Sequence, residues 1–189
     1  SISVFPLDAD GQLKESHVIR FEGKGPDPER QSQPHLHSVL FTPDSKWFLA
    51  NDLGTDRIHV FPVKDSSKGE GLLDEAAAYD IQLRPGSGPR HTCFSPDGHY
   101  AYLITETLQY IKADTLSAQG SADIHVSPDG RYVYASNRLK GDGIAIFEVD
   151  TEDGTLNRVG YQPTGIHPRN FVITPNGSFL LVACRDTNE

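Results

Sequence analysis

Four stretches of this chain carry the same punctuation, and no other feature restricts its fold as much. FTPDSKWFLANDL (41–53), FSPDGHYAYLITE (94–106), VSPDGRYVYASNR (126–138) and ITPNGSFLLVACR (173–185) share one template. It runs from an apolar residue through Ser or Thr, Pro, Asp or Asn and a small residue into a run rich in aromatic and β-branched side chains. Pro fixes φ at the start of a turn, Asp or Asn bonds its own backbone, and a following Gly accepts positive φ, so the template reverses the chain between two strands. The Pro-Asp elements are therefore read as structural. Flanking runs such as HTCF and HYAYLIT have strand composition.

Where the template is complete a third strand follows, RIHVFPV (57–63) and GIAIFEV (143–149). A fourth comes after an acidic, Gly-containing turn, as in DTEDGTLNRVGYQP (150–163), and the opening SISVFPLDADGQLKESHVIRF (1–21) matches the third-plus-fourth pair alone. Units of four antiparallel strands recurring roughly every 50 residues predict an all-β fold, a β-propeller of four-stranded blades. No stretch shows the i, i+3, i+4, i+7 spacing of an amphipathic helix. The predicted division is a half blade 1–34, a blade 35–88, an incomplete blade 89–120, a blade 121–166 and a half blade 167–189, all within one domain.

Asp44, Asp97, Asp129 and Asn176 are separated by steps of 53, 32 and 47 residues. The short step holds a fourth-strand-like TLQYIKAD (107–114) but no third strand. Either that blade is truncated or residues are missing near Glu106 and Thr107, and the second is the preferred expectation. DSSKGEGLLDEAAA (65–78) reads as an insertion between strands. An arc of this size cannot close into a ring, so a longer native chain is expected, an expectation to which the lack of Met and the start at Ser1 add.

A net charge of −9 argues against a nucleic-acid or anionic-membrane surface, which needs clustered Lys and Arg. It leaves room for a small anionic ligand held by a local Arg cluster. No run approaches the ~18 apolar residues of a membrane span and no signal-peptide pattern opens the chain, so a cytoplasmic location is expected. Cys93 and Cys184 sit in apolar runs without CxxC spacing and are expected to be buried free thiols.

In a blade the first strand runs beside the central channel and the second returns. The residues before strand one and after strand two therefore share one face, with the Pro-Asp turns on the other. Four residues before each aligned apolar position stand His37, Arg90, Ala122 and Arg169, and next to them Ser38, His91, Asp123 and Asn170. The column after strand two reads Leu53, Glu106, Arg138 and Arg185. In an acidic chain this concentration of Arg at one channel mouth has two readings. In one, wet channel positions are merely polar. In the other, Arg90, Arg138 and Arg169 hold an anionic substrate through charge-assisted bonds, with His91, His37 and Glu106 as acid-base candidates. His35, His37, His91 and His125 are candidate metal ligands by proximity, but no CxxC, HExxH or Asp-rich loop supports them, and neither metal nor cofactor is expected. No GxSxG motif or phosphate-binding Gly loop is present, and nucleophilic catalysis has no candidate.

PHLHSVLFTPDSKWFLANDLGTDRIHVF, GSGPRHTCFSPDGHYAYLITE, SADIHVSPDGRYVYASNR and HPRNFVITPNGSFLLVACRDTN together resemble the seven-bladed β-propeller lactonase family, whose best-known activity is 6-phosphogluconolactonase. The resemblance implies a complete propeller of seven blades, of which this chain holds roughly half. It implies a channel site at His37, Arg90, Glu106 and Arg138, with His91 and Arg169 beside them. It also implies cofactor-free hydrolysis of a small anionic sugar lactone. A lactonising enzyme acting on a dicarboxylate such as a muconate, and a non-catalytic binding scaffold, are the competing expectations.

Overall fold

The computed structural model of the chain describes residues 1–65, 71–106, 120–139 and 141–187. All regular structure among them is β-strand, as expected. The opening pair is β1 (Ile2–Val4) and β2 (His17–Ile19). One four-stranded meander follows, β3 (Leu36–Phe41), β4 (Trp47–Asp52), β5 (Arg57–Pro62) and β6 (Tyr79–Gln82). A pair comes next, β7 (Pro89–Phe94) and β8 (Ala101–Thr105), then a second meander, β9 (Ser121–Val126), β10 (Tyr132–Asn137), β11 (Gly143–Val149) and β12 (Leu156–Pro163). The last pair is β13 (Pro168–Ile173) and β14 (Leu180–Cys184). Every pairing is antiparallel and follows chain order. The first strands β3, β7, β9 and β13 pack in succession, as the inner strands of adjacent blades do. The stretch after Glu106, where missing residues are expected in preference to a truncated blade, falls on residues 107–119, outside those described.

The turns confirm the template atom by atom. In each, the Asp or Asn oxygen accepts the hydroxyl of the Ser or Thr two residues before it and the backbone N–H two residues after it. The pairs are Thr42 and Lys46 on Asp44, Ser95 and His99 on Asp97, Ser127 and Arg131 on Asp129, and Thr174 and Ser178 on Asn176. The next residue is left-handed every time: Ser45 (φ 57°), Gly98 (74°), Gly130 (75°) and Gly177 (68°). Only the first carries the strain of a Cβ there.

The first three blade interfaces each have an apolar cluster, because a strand buried on both sides sends alternate residues to opposite neighbours. From β4, Phe48 and Ala50 join Ile2, Ile19, Phe61 and Leu73 on one side, while Leu49 joins Ile58 and Val60 on the other. Tyr102, Ile104, Ile124, Val133, Ala135 and Val149 fill the next interface. Cys93, which packs against that last cluster, and Cys184 are free thiols but only half-buried, a correction to the expectation of full burial. Both lie on two-stranded pairs, where no third strand covers the sheet among the described residues.

The inner strands share one irregularity. Pairing jumps from Leu36 to Ser38 on β3, from Pro89 to His91 on β7 and from Pro168 to Asn170 on β13, leaving His37, Arg90 and Arg169 outside the ladder. On β9, Ala122 and Asp123 together oppose Ser136. These are β-bulges at one repeated position, and a bulge turns its extra side chain away from the sheet's alternation. The backbone groups they release are reclaimed: Ser38 Oγ and Asn51 Nδ2 donate to the Arg90 carbonyl, and Asp123 N–H donates to Ser136 Oγ.

Candidate active site

The bulges take His37, Arg90 and Arg169 out of strand pairing. Arg90 is buried, with Nη1 donating to Glu106 Oε2 at 2.8 Å, while the other Glu106 oxygen accepts Arg30 Nη2 at 2.6 Å. Burial alone would raise the Glu106 carboxyl, but Arg90 and Arg30 outweigh it and hold it below the usual range. Arg138, also buried, donates Nε to Gly120 O (2.7 Å), Nη2 to Ser121 O (3.0 Å) and Nη1 to His167 Nε2 (3.3 Å). His167 must accept there, so it is neutral. Burial, Arg185 and Arg138 push its pKa down accordingly. Its backbone is left-handed (φ 64°), where the corresponding blade has Gly88 (φ 60°). Such strain in a non-Gly residue gathers at functional sites.

A cavity of about 380 Å³ opens among Arg30, Leu53, Glu106, Gly120, Arg138 and His167. Arg169 is exposed, yet its charge is felt at both Arg90 and Arg138. A second recess, of about 240 Å³, lies between β3, β7 and β9 and takes in Ser38, His91, Thr92, Asp123 and His125. The six expected residues therefore divide: Glu106 and Arg138 line the first space, and His91 lines the second. His37 lines neither and stands beside His91. Its ring lies 5.1 Å from that of His91, and its pKa is lowered to about 4 by burial first and then by the charges of Arg90 and His91.

Two of these groups are incompletely paired. Arg90 Nε and His37 Nδ1 are buried without a protein partner. Leaving a buried polar atom unpaired costs about 1–3 kcal/mol, so both call for an oxygen from water or a ligand. Among the described residues no group of three or more His, Cys, Asp or Glu is arranged to hold a metal ion. His125 and His91 both turn to Asp123 instead.

Sequence reasoning missed Arg30, Gln31 and His167. Arg30 and Gln31 lie in EGKGPDPERQ, an irregular stretch with no counterpart in the repeat. Gln31 is nonetheless buried, donating to Leu53 O and Asp56 Oδ1. The alignment of HPRN with GPRH did place His167 opposite a glycine, and that substitution was the available signal.

Antiparallel meanders stacked through their inner strands, with Arg30, Arg90 and Arg138 gathered at one end, define part of a β-propeller. The family pattern described as "Lactonase, 7-bladed beta-propeller" matches residues 1–116 and 106–189. The chain belongs to that family. The two matches overlap at 106–116, where the spacing of the Pro-Asp turns is short. A 6-phosphogluconolactonase of Formosa agariphila is 38% identical over all of this chain and 59% of its own length. The crystal structure of a putative 6-phosphogluconolactonase from Bacteroides fragilis superposes with a TM-score of 0.89 at 54% identity, covering 98% of this chain and 58% of that one. The periplasmic gluconolactonase PpgL of Pseudomonas aeruginosa superposes at 0.82 with 32% identity, covering 96% and 55%. The chain thus spans somewhat over half the length of these relatives.

Proposed function

We propose that the full-length protein hydrolyses an anionic sugar lactone, 6-phospho-D-glucono-1,5-lactone, to 6-phosphogluconate, a step of the pentose phosphate pathway. The observation that carries this reading is a cavity lined by Arg30 and Arg138, with Arg90 bound to it through Glu106, so that three guanidinium groups face the carboxylates of Asp27 and Glu106 in a chain of net charge −9. The names of the Formosa and Bacteroides relatives support it. Arg138 and Arg169 suit the phosphate, since guanidinium forks match its oxygens. Arg90, whose Nε is unpaired, faces the oxyanion that develops as the lactone carbonyl is attacked.

The base that takes the proton from water is His91. Glu106 and His37 are both held too acidic to accept it well, and a base works best with a pKa near the ambient pH. Glu106 instead aligns Arg90 and Arg30. A cytoplasmic location belongs to this reading as well. No helix among the described residues is long and apolar enough to cross a membrane.

Acid release from 6-phosphoglucono-1,5-lactone, corrected for spontaneous hydrolysis and run beside unphosphorylated gluconolactone, tests the proposal. Turnover favouring the phosphorylated lactone is the expected result, with Arg90→Ala lowering kcat by roughly 10²–10³-fold. Preference for the plain lactone would reassign the arginines, and no rate above background on either would remove the hydrolase reading.

A further inference from the structure

Among the described residues of the site, Asp123 is the most heavily bonded side chain, and the proposed hydrolysis gives it no role. It is buried, 4% exposed, on the β9 bulge. Its Oδ1 accepts His91 Nδ1 (2.8 Å) and the Ile124 N–H (3.0 Å), and its Oδ2 accepts His125 Nε2 (3.1 Å), Asn170 Nδ2 (2.6 Å) and the Phe171 N–H (3.4 Å). These donors come from β7, β9 and β13, so one carboxylate joins three blades. Burial opposes its ionisation, but the bonds from His125 and His91 outweigh that and keep the carboxyl well below the usual carboxylate range. An ionised carboxylate offers only acceptors, so each imidazole nitrogen facing it carries a proton.

We infer that Asp123 is a positioning residue that fixes His91 as its Nδ1–H tautomer and presents the Nε2 lone pair to the channel as the base. The inference rests on the hydrolase reading and adds a residue to it. His91 is suited to the role: its side chain is 32% exposed, and it lines the 240 Å³ recess. Carboxylate and imidazole are carried by neighbouring inner strands that pack directly. In the step itself, His91 Nε2 takes a proton from water as the water oxygen bonds to the lactone carbonyl. The ring C–O bond then breaks, and the proton passes to the departing ring oxygen. The imidazolium formed in between is stabilised by Asp123, which never needs to accept the proton. The charged and titratable groups around His91 are His35 and His37 on the β3 side, Arg90 and Cys93 on β7, Asp123 and His125 on β9, and Glu106 across from Arg90. Asp123 is the one that bonds the ring.

The test has two readouts on the full-length protein. Long-range proton–nitrogen NMR of the imidazoles, with His91→Gln to assign the signal, reads the tautomer whether or not the protein is active. Nδ1–H in the wild type is expected, and Nε2–H would overturn the inference. Kinetics of Asp123→Asn read the consequence: kcat falls by roughly 10²-fold with KM little changed, and the acid limb of the kcat–pH profile moves to lower pH as the imidazolium loses its partner. An unchanged profile in a folded Asp123→Asn protein would reduce Asp123 to a structural link between blades. A wild type inactive on both lactones would defeat the hydrolase reading and with it the base role, leaving the tautomer to be judged by its own signal.

Discussion

His37 gives the site a pH signature that can be measured without a substrate. Its folded pKa of about 4 lies below the ~6.5 of an unfolded histidine. Between those values the unfolded chain binds a proton that the folded one refuses, so stability falls as pH drops through that window and levels off beyond it. The shift corresponds to roughly 1–3 kcal/mol. Denaturant melts of wild type and His37→Gln should diverge by that amount between neutral pH and pH about 4, and parallel curves would contradict the assignment. On the opposite face, Ser45 occupies a left-handed position that the other three turns give to Gly. Ser45→Gly should raise stability by about 0.5–1 kcal/mol, read as a higher Tm, and Gly130→Ala should lower it by about 1–2 kcal/mol. At this scale the sequence was informative wherever the repeat supplied a column. Arg90, Glu106 and Arg138 stood out as polar residues at fixed offsets from an apolar template. Arg30 did not, because a residue in an irregular loop is placed by tertiary structure alone. The division of labour between Glu106 and His91 was equally hidden, since it depends on which charges surround each.

Strands β4, β5, β10 and β11 were legible because their aromatic and β-branched composition and their turns agree. The bulges were not, since one extra residue leaves a strand's composition unchanged and shows only in the pairing register. The loops of the site face are as tightly specified as the strands. At Gly54 an added Cβ would sit 2.0 Å from the Gln33 carbonyl oxygen and 2.6 Å from the His35 nitrogen. That contact lies in backbone next to Asp52, whose Oδ1 accepts the His35 and Gly54 N–H groups. Gly54→Ala should therefore cost upwards of about 1–3 kcal/mol and displace the start of β3, weakening turnover as well as lowering Tm. A wild-type Tm for this variant would show that the loop can yield.

Across the molecule, stability is distributed blade by blade, since three successive interfaces each have a cluster and the inner strands pack in sequence on their neighbours. Phe61, 3% exposed between the opening strands and the first meander, should cost about 3–5 kcal/mol when changed to Ala, measured by chemical denaturation. The same stacking is visible at the turns. The left-handed position of each of three turns lies against the Pro of the turn before it: Gly98 on Pro43, Gly130 on Pro96 and Gly177 on Pro128. A periodic sequence predicts this architecture because the repeated unit and the repeated contact are the same thing. The bulged seat of the inner strands is a different kind of repetition. One backbone geometry there already carries His37, Arg90, Ala122 and Arg169. A side chain that takes no part in the ladder can be exchanged while strand pairing is left intact. Specificity in such a propeller can therefore evolve by single substitutions, each tried against an unchanged scaffold.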